Sequence, residues 1–148
     1  MSQTLWTVAA NALVAALESV GNPGAPVYRA RYDAIPQSAS AYNLFPNTIE
    51  MQNDDSRAAM SVKATFMLRA YIGVLTGVDV AIDPYLAWAW QAITKDPTLG
   101  GVALDTRIQR IEYSYIGDTG ADQVCADLTL EVTLSVSRSD PTLTGMEN

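Results

Sequence analysis

The sequence has no histidine and a single cysteine, Cys125, among its 148 residues. Without histidine there is no His-dependent catalytic triad and no His-ligated zinc site. One cysteine forms neither an internal disulfide nor a cysteine-rich metal centre. Charge is sparse at 17% and lopsided: nine Lys plus Arg face sixteen Asp plus Glu, a formal net of −7. A general nucleic-acid binder needs surplus Lys and Arg to neutralise phosphates, and this chain has the opposite balance. No Lys or Arg precedes Arg29, so the apolar first stretch, Leu5 to Val20, lacks the basic flank of a signal peptide. That stretch is shorter than the ~20 residues of a spanning helix, and Thr7, Asn11 and Glu18 interrupt it. No membrane partner is expected. The expected compartment is the cytosol, where an unpaired thiol is ordinary.

The residues that are present support one packed domain. Apolar residues make up 49% of the chain, and domains near this length bury ~68–70% of their unfolded surface. Trp6, Ala9, Leu13, Leu17 and Val20 recur at helical steps until Gly21-Asn22-Pro23-Gly24. From Val27 to Asp33 the period becomes two, with Tyr28, Ala30 and Tyr32 on one face and Arg29, Arg31 and Asp33 on the other. Residues 34–47 show no period and contain Pro36, Asn43, Pro46 and Asn47, the composition of a long loop. Its Ile35, Tyr42, Leu44 and Phe45 either fold back over the core's edge or meet a partner. Thr48 to Asn53 reads as a short strand and 53–57 as a turn. A long strand then alternates Val62, Ala64, Phe66, Leu68, Ala70 and Ile72 with polar neighbours.

Asp83-Pro84 has the form of a helix N-cap and first position. Leu86, Trp90 and Ile93 would form the buried stripe, leaving Trp88 as a candidate exposed contact. Asp96-Pro97-Thr98-Leu99-Gly100-Gly101 ends that helix. Thr106 to Ile116 reads as a strand in which the odd step from Ile108 to Ile111 marks a bulge. Ala126 to Val136 alternates strictly, with Asp127 and Glu131 on its polar side. The tetrapeptide Asp-Pro-Thr-Leu occurs at 96–99 and 140–143, which reads as two similar terminators rather than a repeat. The chain is thus expected to form a single domain over 1–138 with a fraying polar tail, 139–148. The order α-β-β-β-α-β-β predicts an α+β two-layer sandwich: a mostly antiparallel five-stranded sheet with two helices on one face.

Catalytic equipment is thin. Asp54 and Asp55 share a turn, Cys125 has no histidine to activate it, and Gly100-Gly101 follows a helix rather than preceding one. No catalytic residue, cofactor or metal is expected. The polar strand faces are more informative. Arg29, Arg31, Lys63 and Arg69 are expected opposite the apolar faces. Asp118, Asp122, Asp127, Glu131, Asp140 and Glu147 against Arg138 leave −5 of the net charge after residue 117. Two readings stay open: a solvated face, or a basic surface on one subunit meeting an acidic one on the next.

The element order, the long third strand, and the stretches Asp96–Gly101, Val102-Ala103-Leu104-Asp105 and Ile111-Glu112-Tyr113 resemble the tail terminator (tail completion, minor tail protein U-like) family of long-tailed bacteriophages. The resemblance implies a hexameric ring in the virion, assembled in the host cytoplasm, at the head-proximal end of the tail tube. Its implied partners are further copies of itself, the tube protein and the head-completion proteins, with genomic DNA as passing cargo. Candidate inter-subunit or tube contacts are Arg29, Arg31, Tyr42, Leu44, Phe45, Asp54, Asp55, Arg57, Arg69 and Trp88; Asp127 and Glu131 are candidate channel-lining acids. The alternatives are another neck component, a minor tube subunit of the same fold, and, more distantly, a small His-free enzyme.

Overall fold

The computed structural model describes residues 3–19, 25–30, 40–52, 59–72, 78–116 and 123–144. Its elements run α1 (Leu5–Ser19), β1 (Val27–Arg29), β2 (Ala41–Gln52), β3 (Ala59–Ile72), α2 (Val78–Lys95), β4 (Asp105–Ile116) and β5 (Gln123–Ser137). The strictly alternating strands find each other: β3 and β5 pair antiparallel from Ala59 opposite Ser137 to Ile72 opposite Val124. The full sheet has the order β1-β2-β3-β5-β4. Every contact is antiparallel except β1 with β2, which is parallel.

One face of this sheet makes the core. Val62, Ala64, Phe66 and Leu68 of β3 meet Leu128, Leu130, Val132 and Leu134 of β5 in a single buried cluster. The helices cover that face with Leu13 and Leu17 from α1 and Ile82, Ala89 and Ile93 from α2. Each large aliphatic side chain so buried contributes about 1.5–3 kcal/mol by leaving water. The expected α+β two-layer sandwich is therefore the observed one, and the expected bulge lies in β4 between Ile108 and Arg110.

Four local expectations are corrected. Strand β2 begins at Ala41, so Tyr42, Leu44 and Phe45 belong to a strand rather than a loop. The cause of the lost period is a register shift between Pro46 and Thr48. Proline brings no N–H to the ladder, and the inserted residue reverses the parity of the second half of the strand. Tyr42 and Leu44 thus share the helix-covered face with Ile49 despite the odd spacing. Second, α2 begins at Val78, which puts Pro84 inside the helix. The ring forfeits one intrahelical hydrogen bond, but Pro84 is exposed and the inner face continues through Ile82 and Leu86.

Third, Trp88 is buried, whereas Trp90 is 50% exposed. With the helix phased from Val78, Trp88 packs on Tyr42 at 4.7 Å between ring centroids. Fourth, residues 139–144 of the expected tail fold back onto the domain, and 145–148 lie outside the described residues. Leu143 returns its carbonyl to the Ser137 amide, and the Pro141 carbonyl accepts the Leu5 amide that starts α1.

The two Asp-Pro-Thr-Leu segments build the same turn. Asp96 Oδ1 accepts the amide and hydroxyl of Thr98 at 3.2 and 2.7 Å. Asp140 Oδ1 accepts those of Thr142 at 2.9 and 2.7 Å. The first turn continues through Leu99, Gly100 and Gly101, all at positive φ, of 52°, 71° and 94°. Nothing lies within 4 Å of a Cβ added at either glycine, so conformation rather than space calls for glycine there.

These features set two tests. Leu128→Ala should lower stability by about 2–5 kcal/mol in urea unfolding, with a smaller loss contradicting a close-packed β3–β5 core. The Thr98 hydroxyl, with the Gly100 and Thr98 amides, holds the Asp96 carboxyl below its ordinary range, and the Thr142 hydroxyl and amide do the same for Asp140. Stability from a lowered carboxyl is present above its unfolded pKa and lost as pH falls through the folded one. Asp96→Asn with Asp140→Asn should therefore flatten the decline in thermal midpoint below about pH 4; an unchanged acid limb would count against the two turns.

Candidate functional site

Among the described residues no helix covers the second face of the sheet, and its chemistry is set by the same registers. Arg69 stands directly opposite Asp127 across β3 and β5. The guanidinium donates from Nε to Oδ1 at 2.7 Å and from a terminal nitrogen to Oδ2 at 3.0 Å, a bidentate pair. Those bonds push the Arg69 pKa up against the burial that would lower it. One step along, Arg107 of β4 donates to Glu131 at 3.0 Å, while Lys63 approaches the same oxygen at 3.8 Å. Glu131 is only 5% exposed, beneath its two cations. Arg110 and Glu112 make a looser pair at 3.6 Å, both side chains well exposed. Four cations of the chain thus meet three carboxylates on one surface.

This placement changes the sequence expectations. Asp127 and Glu131 are buried acids with cationic partners in the same chain, so neither is free to line a channel as a bare negative charge. Arg69 is spent on Asp127 rather than standing on a basic surface of its own. Arg29 lies on the helix side of the sheet margin, where it donates to Asn11 of α1. Tyr42 and Leu44 are fully buried; the Tyr42 hydroxyl donates to the Tyr85 carbonyl at 2.8 Å. Trp88 is likewise interior. Phe45, opposite Met67, remains partly exposed on the open face. Arg31, Asp54, Asp55 and Arg57 lie outside the described residues.

Sequence reasoning overlooks Arg107, Arg110 and Glu112 as members of this surface. Their signal is the β4 bulge, which returns Arg110 and Glu112 to the face of Asp127. Catalytic chemistry gains little here. Cys125 is buried, its sulfur lies 3.0 Å from Ser114 Oγ, and burial pushes its thiol pKa up. Among the described residues no three His, Cys, Asp or Glu side chains cluster as metal ligands. A groove between the helices is walled chiefly by Ala12, Ala15, Ala16 and Ala92 and brings no pair of carboxylates together. No helix among the described residues is long and apolar enough to cross a membrane.

The Arg69–Asp127 pair can be weighed directly. Arg69→Met leaves a buried carboxylate without its partner and should cost about 1–3 kcal/mol, reduced from a fully buried case because Arg69 is partly solvated. Arg69→Met with Asp127→Leu should cost less than either change alone. Additive losses in chemical denaturation would show that the two side chains act independently.

No family model matches the chain, and no curated protein sequence matches it. Solved structures share its outline at low identity. A chain from the virion of a native gene transfer agent particle is 12% identical with a TM-score of 0.43, covering 89% of this chain and 92% of that one. A sheath/tube terminator of an extracellular contractile injection system, in its extended state, is 13% identical with a TM-score of 0.48. That match covers 95% of this chain and 60% of that one. At these values neither likeness assigns a role to any residue here.

Proposed function

We propose that this protein is a structural, non-enzymatic component of a phage-type virion: a ring, hexameric by family resemblance, that caps the head-proximal end of the tail tube. The observation that carries this reading is the Asp96–Gly101 turn in its setting. The three stretches that resemble tail terminators form one continuous path in the fold, from the end of α2 through the left-handed turn into β4. The α-β-β-β-α-β-β order that the resemblance implies is also the order of the elements. In this role one axial face of the ring imitates the next tube layer, while the other ends addition and receives the head-completion proteins. DNA passes through as cargo. The open sheet face suits a structural part, because Lys63, Arg69 and Arg107 are already engaged by Asp127 and Glu131 and offer phosphates little uncompensated charge.

The test is direct imaging. Purified protein mixed with tail tubes should appear as a ring on one end only, and tubes so capped should not elongate. Loss of the gene should give tails of unregulated length that fail to join heads. Normal infectious particles with normal tails, or decoration along the tube wall, would overturn the proposal.

A further inference from the structure

Both margins of the sheet are open among the described residues. Strand β1 pairs with Tyr42, Asn43 and Leu44, so among the described residues the half of β2 from Pro46 to Gln52 has no neighbour on its outer side. At the other margin β4 pairs with β5 and offers a second edge of 12 residues. Edges left bare in monomers are usually short or otherwise blunted, because their unpaired N–H and C=O groups template further strands. The bulge in β4 blunts only its first part, and Arg110–Ile116 continues beyond it in regular pairing with β5.

The two margins fit each other in direction. Strands β2, β3, β5 and β4 alternate in sense across the sheet, so β2 and β4 run opposite ways. Copies placed side by side in the same orientation bring β4 of one against β2 of the next as antiparallel neighbours. Side chains fit as well. With Glu50 opposite Arg110, Ile49 meets Ile111 on the helix-covered side and Thr48 meets Glu112 on the open side. Parity is right for both faces over these three pairs, between the shift in β2 and the bulge in β4. Arg110 is the available cation on this surface, since its pair with Glu112 is loose, at 3.6 Å, and exposed on both sides. Met51 and Tyr113, 56% and 48% exposed, are apolar side chains on these same two margins that the contact would cover.

We propose that copies of this chain join head to tail by strand pairing, the Thr48–Glu50 segment of one copy lying antiparallel to Arg110–Glu112 of the next, with Glu50 facing Arg110. The contact is heterologous, so it closes into a ring when the rotation per copy allows; in that respect it rests on the ring function above. Pairing by backbone gives register, and the Glu50–Arg110 pair rejects slipped alternatives.

The test uses the full chain, with sedimentation and native mass spectrometry over a wide concentration range. Glu50→Arg and Arg110→Glu should each weaken self-association by about fivefold to tenfold, and combining both in one chain should restore it. Both positions are exposed, and unchanged circular dichroism spectra will confirm that each variant folds. Glu50→Cys with Arg110→Cys should give an inter-chain disulfide ladder on oxidation, whereas each single change should not. Rings that form regardless of both charge reversals and give no ladder would overturn this interface and leave the ring intact. A ladder without capping of tubes would support the interface and overturn the capping role. A chain that stays monomeric at every concentration and gives no ladder would overturn the interface.

Discussion

The pairing of β3 with β5 is the constraint on which the rest of the structure depends. A one-residue slip would turn either Lys63 and Arg69 or Asp127 and Glu131 into the core, so the apolar face forbids every odd displacement. A two-residue slip would keep the faces but set Arg69 against Cys125 or Thr129 instead of Asp127. The buried Asp127 would then lose its partner at a cost of several times the thermal energy. Burial thus fixes the parity of the register, and the ion pairs choose among the registers of correct parity. The helices settle onto a surface whose shape this choice has already determined.

The same registers explain which parts of the molecule are legible in the sequence. Where one period runs unbroken, as in Val62 to Ile72 and Ala126 to Val136, the residues state both the strand and its buried face. Where a local irregularity reverses the phase, they mislead. The shift at Pro46–Thr48 hides a strand twice as long as its second half, and with it the burial of Tyr42 and Leu44. In α2 the strongest local cue, Asp83-Pro84, names a start that tertiary packing overrides by more than a turn. That shift rotates Trp88 inward onto Tyr42 and Trp90 outward. Charge misleads for a different reason. Asp127 and its cation are 58 positions apart in the chain, and Glu131 and Arg107 are 24 apart. Counting acids along the sequence therefore records a surplus where the fold has made a pair.

Relocating those pairs also relocates the acidity. The open sheet face holds Lys63, Arg69, Arg107 and Arg110 among nearly as many carboxylates, leaving the −7 of the whole chain to arise mainly elsewhere. Glu18, Asp83 and Asp96 on the helical layer have fewer basic neighbours in sequence, with Lys95 among them. A uniformly acidic β5 would repel its counterpart in a neighbouring copy; a self-neutralised one does not. The open face of the sheet is thereby left free of large net repulsion.

Assembly through margins rather than faces then has a physical basis. The helix side of the sheet is already filled, and covering the polar side would remove solvent from Arg107, Arg110 and Glu112, whose side chains still use it. Dehydrating such charges costs more than exposed ion pairs return. The edges present a different balance. Their amides and carbonyls exchange water for hydrogen bonds of equal kind, and Met51 and Tyr113 lose contact with water in the same step. A subunit with a complete core and internally paired charges has its unused bonding capacity at the two strand margins, one at each end of the sheet. That polarity, one edge offering β2 and the other β4, joins like to unlike and so favours a directional chain of copies over a closed pair.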